Sequence, residues 1–305
     1  MLLALGAHFA KAQDLLDELQ KEDSGKVKQN LTIATFKSTR IINMPSVEMT
    51  GKGNLQFMIT HHFGQIWNKE TGLKGSAAQL FGFNSGVANT YLSFDYSPTT
   101  YMNLGVAATG NAQFEGWGKF RIMRQQTGQK HVPVTVDVLT GFHVDAADGP
   151  SPEDNTWNRF SFIDQLLVAR KFNESLSLQF IGSMVHYNLV PYGYNNSNNT
   201  FSAGIGGRYK LTHKSAVTFE FVHLLNNYKN LINETGAVYE YKPILLALGY
   251  DWDTGGHIFQ FFISNTSSAS NIAQLSRNTN KPADFAFGFN LNRSFGMKKA
   301  VKVNQ

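Results

Sequence analysis

The sequence predicts an all-β protein, a transmembrane antiparallel up-and-down β-barrel of about 12 strands. Three observations predict this fold: apolar and polar residues alternate with a period of two, short and long connections alternate, and aromatic residues gather near the short connections. The clearest alternation runs from Phe201 to Leu225, where Arg208, Lys210 and Glu220 interleave with apolar and aromatic residues around the turn His213-Lys214-Ser215. Successive side chains of a strand point to opposite faces, so this hairpin has one apolar and one charged face.

Composition favours the same class of protein. Of the 305 residues, 16% are charged, below the usual ~25%, and 13% are aromatic. The mean hydropathy of -0.25 excludes a bundle of membrane helices, whereas the polar interior of a membrane barrel offsets its apolar belt in such an average. The net charge of +5 is spread along the chain and gives no reason to expect a nucleic-acid partner. Without cysteine, disulfides, thiol nucleophiles and CxxC zinc sites are excluded.

The N-terminal 50 residues are predicted to precede the barrel. Residues 1–12 resemble the end of a secretory signal peptide, because a short apolar run is followed by Ala10-Lys11-Ala12, which fits the A-x-A cleavage pattern. An amphipathic N-terminal helix is the alternative. Residues 13–50 are expected to form a periplasmic segment or a partial plug, since their short apolar runs are broken at Pro45 and cannot span a bilayer.

The barrel is predicted over residues 51–297, followed by a C-terminal tail at 298–305. Most predicted strands reach the ~9–11 residues of a tilted membrane strand and exceed the ~5–6 of a soluble one. Alternation is less clean in two of them, where Asp164 falls on the apolar face. The predicted strands are 53–63, 86–96, 101–110, 113–124, 132–146, 157–172, 176–190, 201–212, 216–226, 240–253, 257–266 and 285–296.

The connections between these strands indicate which way the barrel is oriented. Tight turns, such as 97–100, 173–175 and 254–256, alternate with long polar segments, such as 64–85 and 267–284; the brief connection at 111–112 departs from the pattern. Short turns on one side and long loops on the other are typical of outer-membrane barrels, in which the short turns face the periplasm. An even strand number then places both ends of the barrel on the short-turn side.

Aromatic residues provide a further indication. Several fall on the outward parity near the short turns, where a membrane-interface girdle is expected because amphipathic rings favour the headgroup level. The alternative is that aromatics are simply common in strands. The girdle candidates are Tyr96, Tyr209, Tyr250, Trp252 and Phe295.

Several segments resemble a bacterial family of outer-membrane β-barrel proteins of unknown function, domain-of-unknown-function family 5777. They include 35–43, 53–57 with 61–64, 118–121, 166–173, 188–191, 206–212 and 254–257. The resemblance extends over nearly the whole chain from about Gln13, implies a barrel in a Gram-negative envelope, and brings no activity or catalytic residue with it. The chain departs from the expected pattern because Lys298 to Gln305 follow the last strand, so Phe295 is expected to be its terminal aromatic residue.

Charged residues of both signs fall on the polar parity of the predicted strands and would face the barrel interior. In one interpretation they line a water-filled pore and select solutes by charge. In the other, slightly favoured, they form ion pairs that fill a narrow closed barrel, because pairing avoids the desolvation cost of an isolated charge. The lumen-lining candidates are Asp95, Glu115, Lys119, Arg121, Asp137, Arg208, Lys210, Glu220 and Asp251.

The remaining residues that could carry chemistry do not form a recognisable site. His61 and His62 are adjacent, so they face opposite sides of a strand and cannot share a metal ion without a bulge. No HExxH-like spacing occurs. In Gly82-Phe83-Asn84-Ser85-Gly86 the serine comes one position too late for a G-x-S-x-G nucleophile elbow. We therefore expect no catalytic residue, metal or cofactor, and no enzyme.

Function is less determined than fold. The leading hypothesis is a channel for small polar solutes through a mixed-charge lumen. The second is a non-conducting barrel that scaffolds a periplasmic or surface protein partner, and the third is an outer-membrane lipid hydrolase. In each case we expect the outer membrane of a Gram-negative bacterium, with outer-membrane lipid around the barrel.

Overall fold

The computed structural model describes residues 30–66, 89–110, 112–146, 155–190, 198–226, 228–232, 238–241, 244–266, 268–276, 278 and 280–297. The predicted signal peptide end at 1–12, the C-terminal tail at 298–305 and the segment Gly82–Gly86 lie outside these residues. No helix within the described part of the chain has the length and apolar character needed to cross a bilayer.

The described residues form a closed barrel of 12 antiparallel strands, which confirms the predicted fold. Observed and predicted strand boundaries agree closely, and the largest shift is at Ile244, where the strand begins instead of at residue 240. The strands are β1 (Asn54–Gln65), β2 (Asn89–Tyr96), β3 (Met102–Thr109), β4 (Gln113–Met123), β5 (Thr135–Asp145), β6 (Phe160–Lys171), β7 (Leu176–Tyr187), β8 (Asn199–Lys210), β9 (Ser215–Leu224), β10 (Ile244–Asp253), β11 (Ile258–Ser264) and β12 (Ala286–Gly296).

Each strand pairs with the next in the sequence, and β12 closes the barrel on β1 through the register Phe295↔Leu55 and Leu291↔Ile59. A closed ladder leaves no sheet edge, so it satisfies the strand backbone in lipid, where no water can do so. Both ends of the barrel sequence meet at one rim, where Gly53 and Ser97 are hydrogen-bonded. We call this rim the short-turn end and the opposite rim the loop end.

Two smaller sheets lie outside the barrel wall. At the short-turn end, Asn30–Leu31 pairs with Gln126–Thr127. Tyr228–Ile232 and Val238–Tyr241 form a second hairpin in the connection between β9 and β10. A 3-10 helix, Thr156–Arg159, precedes β6 at the loop end.

The two faces of the wall differ in polarity, as the alternation predicts. The inward face carries buried polar side chains, among them Gln56, Thr60, Ser93, Asn103, Gln165, Gln179, Asn290 and Asn292. The outward face exposes large apolar ones, among them Leu92, Phe94, Leu104, Val106, Phe120, Leu166, Phe180, Ile205, Leu248 and Phe261. Asp164 is exposed on this outward face beside them.

Two segments fold into the barrel from opposite rims. Residues 35–48, here named the N-terminal hairpin, enter from the short-turn end and reverse direction between Ile41 and Met44, whose backbones are hydrogen-bonded. Residues 268–276, here named the inner loop, enter from the loop end and contain the only helical turn of α type in the described chain, α1 (Asn271–Ser276). The segments meet where Arg40 Nη1 donates to the Ala269 carbonyl at 3.3 Å.

Candidate functional site: the barrel interior

All nine predicted lumen residues occupy the inward parity of their strands. Asp95, Glu115, Lys119, Asp137, Arg208, Glu220 and Asp251 are buried. Arg121 and Lys210 are partly buried near the short-turn end. These side chains do not surround an empty lumen, because most of them bind either each other or the two inserted segments.

Two pairs of opposite charge lie within the wall. Arg121 binds Asp137 through two hydrogen bonds, Nε to Oδ1 at 2.9 Å and Nη2 to Oδ2 at 3.0 Å. Arg208 Nε is 3.9 Å from Asp251 Oδ2, at the outer limit of an ion pair. The bidentate pair has the geometry in which guanidinium and carboxylate bind most strongly, so it holds these two charges within the wall.

Glu220 binds the tip of the N-terminal hairpin. The main-chain N–H groups of Ile42, Asn43 and Met44 all donate to its carboxylate, at distances between 2.9 and 3.1 Å. Three successive N–H groups that converge on one anion form a backbone nest. The carboxylate therefore satisfies donors that the tight turn leaves without partners of their own.

Further wall side chains bind the main chain of the hairpin along its length. Gln260 Nε2 donates to the Ile41 carbonyl at 2.8 Å, and Lys119 Nζ donates to the Ser46 carbonyl at 2.7 Å. The wall residues that bind the hairpin lie on eight strands around the circumference: Gln56, Asp95, Lys119, Arg121, Gln179, Glu220, Asp253, Gln260 and Asn290.

Two inward-facing glycines make room for the tip of the hairpin. A Cβ atom at Gly206 would come within 2.5 Å of Ile41 Cδ1, and one at Gly249 would come within 3.2 Å of Ile42. Because any larger residue at Gly206 would overlap the isoleucine, the wall and the hairpin are complementary in shape as well as in hydrogen bonding.

An apolar cluster complements these polar contacts. It joins Ile41, Ile42 and Met44 of the hairpin to inward-facing apolar residues of the wall and to α1 of the inner loop. The wall contributes Leu139, Ile163, Leu167, Ala169, Ile181, Val185, Val222, Leu245, Ala247 and Phe262. Part of the interior is thus packed as a hydrophobic core.

The inner loop is held mainly through its own side chains. Ser270 Oγ donates to Glu115 Oε1 at 2.5 Å, and Asn271 Nδ2 donates to Gln165 Oε1 at 3.0 Å. The hydroxyls of Tyr187 and Ser276 are also hydrogen-bonded. Glu115 in turn accepts from Tyr91 at 2.8 Å, so the loop is anchored to a polar network at its own end of the barrel.

The described residues enclose a small cavity between the two inserted segments and the wall. It is bounded by Arg40, Tyr91, Trp117 and Asn271 and offers about 30 Å³ to the centres of water-sized molecules, which is room for about two waters. This cavity is too small for a larger solute.

The remaining predicted residues are the girdle candidates on the outer face and the adjacent histidines His61 and His62. The girdle candidates Tyr96, Tyr209, Tyr250, Trp252 and Phe295 are all exposed on the outward face toward the short-turn end. His62 points inward and contacts the Thr266 carbonyl at 3.0 Å, whereas His61 lies on the other face beside Thr90. Among the described residues, no group of three His, Asp or Glu side chains is arranged to hold a metal ion.

Sequence reasoning missed two features of this interior. It treated the inner loop as part of a long solvated connection, although Ile272 and Leu275 have the spacing of one helical face within that polar stretch. It also did not identify Gly206 and Gly249 as seats for the hairpin. In both cases the sequence pattern shows which residues face inward, but strand periodicity does not indicate which segment packs against them.

Comparisons with known proteins agree with the fold. The family described as a membrane bound beta barrel domain, domain-of-unknown-function family 5777, matches residues 36–295, which confirms the resemblance noted in the sequence. Comparison with curated proteins gives no significant match.

Comparison with solved structures returns several β-barrel proteins. The KdgM porin is 6% identical, with a TM-score of 0.47 over 79% of this chain and 99% of the porin. The NanC porin is 8% identical, with a TM-score of 0.47 over 79% and 98%. The translocator domain of the autotransporter NalP from Neisseria meningitidis is 10% identical, with a TM-score of 0.38 over 80% and 88%.

Proposed function

The chain belongs to the membrane bound beta barrel domain family, and we propose that it is a gated channel for small polar solutes in the outer membrane of a Gram-negative bacterium. The observation that carries the proposal is the polar, mixed-charge wall that binds an inserted hairpin through side chains on eight strands. In the described conformation the channel is closed, and it opens when the N-terminal hairpin leaves the lumen. The proposal assigns no catalysis to the protein.

The way in which the wall binds the hairpin supports this gating. Glu220, Gln260 and Lys119 bind main-chain groups of the hairpin, and water can replace such partners at a net cost of about 0.5–1.5 kcal/mol for a neutral hydrogen bond and about 1.5–3 kcal/mol for one to a charged group. The wall that remains would present charges of both signs to a hydrated lumen. Such a lining selects solutes by their charge and hydrogen-bonding groups.

The topology allows the hairpin to leave without unfolding the barrel. No residue of the segment 35–48 takes part in the strand ladder, which closes through β12 and β1. Both legs of the hairpin open toward the short-turn end, because Asn30–Leu31 pairs with a turn there and Gly53 precedes β1 at the same rim. The hairpin can therefore withdraw as a unit, and no chain has to thread through the lumen.

A second candidate is the non-conducting barrel that scaffolds a protein partner. The apolar cluster favours it, because Ile41, Ile42 and Met44 of the hairpin are buried against the wall. Burial of three such side chains contributes on the order of 1.5–3 kcal/mol each, and this contribution opposes release. The gated channel and the non-conducting barrel differ in one respect that can be measured, namely whether the hairpin ever leaves the lumen.

A reversible crosslink between hairpin and wall tests the proposal. Asn43 Nδ2 lies 3.2 Å from Ser264 Oγ, and the chain contains no cysteine. In the double variant Asn43→Cys/Ser264→Cys these would be the only thiols. In planar bilayers we expect conductance steps from the reduced variant and none from the oxidised one, with recovery after a reductant is added.

The two single-cysteine variants are the controls, since neither can form the intramolecular bond. They should conduct alike with and without reductant. If the reduced double variant and the wild type are folded and yet never conduct, while removal of the hairpin also gives no conductance, the channel is refuted and the non-conducting barrel is favoured.

A further inference from the structure

Two arginines on the outer surface share the same arrangement near the short-turn end. The guanidinium of Arg170 lies over the ring of Phe172 at 5.1 Å from its centroid, and that of Arg293 lies over Phe295, also at 5.1 Å. In each case the aromatic residue follows two positions later on the same strand or just beyond its end. We call these the Arg–Phe pairs.

Both pairs face away from the lumen. On β6, residues 161 to 169 of odd number are buried while Arg170 and Phe172 are exposed, and on β12 the buried Asn290 and Asn292 precede the exposed Arg293 and Phe295. Phe295 pairs in register with Leu55, which in turn pairs with Tyr96 of the girdle. Phe172 N–H donates to the Leu176 carbonyl, and Leu176 pairs in register with Tyr209 of the girdle. Both Arg–Phe pairs therefore lie at the level of the girdle, where a bilayer has its headgroups.

A stacked guanidinium has a free edge suited to a phosphate. Stacking uses the face of the planar group, so the N–H groups in its plane remain available for two parallel hydrogen bonds to a phosphate. Arg293 has one further contact, between Nη1 and His257 Nε2 at 3.2 Å. Neither arginine forms an ion pair with a carboxylate within the described part of the chain.

The rim side of the barrel exposes several lysines, with Glu174 as an exposed carboxylate paired to Lys171, and the membrane side is apolar. Lys52, Lys130 and Lys214 are exposed in the turns and at the entry to β1 at this rim. Toward the membrane, Arg293 is followed along the outer wall by Leu291 and Phe259, which are paired in register. A ligand seated here would place an anionic group on the arginine and an apolar chain on the wall.

We propose that each Arg–Phe pair binds the phosphodiester headgroup of a phospholipid from the leaflet at the short-turn end. The phosphate accepts hydrogen bonds from the guanidinium edge, and the acyl chains lie against the apolar wall. The two sites are on β6 and β12, which are separated by several strands on either side of the barrel. Lipids bound there fix the height of the barrel in the bilayer at two separate points.

Lipid titrations of the folded protein in detergent, followed by native mass spectrometry, test this assignment. The ligands are phosphatidylglycerol, diacylglycerol with the same chains but no phosphate, and inorganic phosphate. We expect two tight equivalents of phosphatidylglycerol for the wild type. Arg170→Gln and Arg293→Gln should each weaken one equivalent about tenfold, the size of effect expected for charge-assisted hydrogen bonds, and the double variant should lose both.

Lys214→Gln is the matched control, because it removes a positive charge from the same rim at an exposed turn position without an aromatic partner. It should retain both tight equivalents. Diacylglycerol that binds as tightly as phosphatidylglycerol would overturn the assignment, since recognition would then not involve phosphate. Inorganic phosphate with equal affinity would overturn the assignment to lipid, and an unaffected double variant would overturn the role of the arginines.

Discussion

The N-terminal hairpin and the inner loop both fill the barrel, but the wall holds them in different ways. The hairpin is bound largely through its main chain, by Glu220 at its tip and by Lys119, Gln179, Gln260 and Asn290 along its length. Its Thr39 and Lys37 side chains add contacts to three further strands. The inner loop satisfies part of its own main chain, with Gln274 N–H donating to the Ser270 carbonyl, and is bound through side chains such as Ser270 and Asn271.

The difference indicates which segment can move. Buried main-chain groups must be hydrogen-bonded in either state, and those of the hairpin can exchange wall side chains for water when it withdraws. The inner loop is joined at both ends to adjacent strands, β11 and β12, which limits how far it can travel. We therefore regard the hairpin as the mobile gate and the inner loop as a fixed constriction at the loop end.

The largest effect is expected when both segments are removed. A variant that lacks residues 35–48 and has a Gly-Ser linker in place of residues 268–276 should give large, steady conductance steps in planar bilayers. Removal of the hairpin alone should give smaller steps, because the inner loop still narrows the lumen. Removal of the inner loop alone should leave the channel closed, because the hairpin contacts the wall around its circumference. Circular dichroism should establish that each barrel is folded, and a folded double variant without conductance would contradict the gating scheme.

A steric change at the seat of the hairpin should have the next largest effect. In Gly206→Val the new side chain would overlap Ile41, whose Cδ1 lies 2.5 Å from the position of a Cβ at residue 206. The tip should be displaced, and bilayer recordings should show intermittent openings smaller than those of the variant that lacks the hairpin. Gly182→Val is the control, since its Cβ would point to the outer face and meet Phe180 at 3.5 Å. Openings of equal size in the control would mean that the strand, rather than the hairpin, had been perturbed.

Removal of the Glu220 carboxylate should loosen the tip without blocking its seat. Glu220→Ala leaves the N–H groups of Ile42, Asn43 and Met44 without their acceptor, at a cost of about 1–3 kcal/mol for each unsatisfied group. A total near 3 kcal/mol corresponds to about a hundredfold faster hydrogen exchange at these amides. Glu220→Gln keeps one acceptor oxygen and should show a smaller increase. Glu174→Gln is the control, because this exposed carboxylate binds Lys171 at a turn; unchanged exchange in Glu220→Ala would exclude the backbone nest as the latch.

The barrel wall could be predicted from the sequence more completely than the two segments that fill it. All twelve strands follow from period-two alternation, because lipid outside and polar groups inside impose it on every strand. The same rule explains where the alternation weakens. Ile163, Leu167 and Ile181 are apolar on the inward face, because they pack against the hairpin and α1 rather than facing water. The weaker alternation of the segments 157–172 and 176–190 is thus a sign of the inserted core, in addition to the outward-facing Asp164.

The positions of the N-terminal hairpin and the inner loop depend on contacts between residues far apart in sequence, and the periodicity of a strand does not indicate such contacts. Glu220 was predicted to face the lumen, but its partners Ile42 and Met44 lie more than 170 residues earlier in the chain. The charge pattern alone left two interpretations open, a water-filled pore and a set of ion pairs. The described conformation has an element of the second, in the Arg121–Asp137 pair, but Lys119, Arg121 and Glu220 also bind the main chain of the hairpin, an arrangement that neither interpretation included.

The smallest effect is expected at the inner loop. Ser270→Ala removes one hydrogen bond to Glu115, whose carboxylate keeps its partner Tyr91, so the loss should be about 1 kcal/mol. The apolar contacts of Ile272 and Leu275 remain, and the loop should stay in place. We expect a slightly lower midpoint of thermal unfolding and no change in conductance. If Ser270→Ala opened the channel more than Gly206→Val does, the roles would be reversed: the inner loop would be the gate, and the hairpin, bound on all sides by the wall, would be a permanent part of the core.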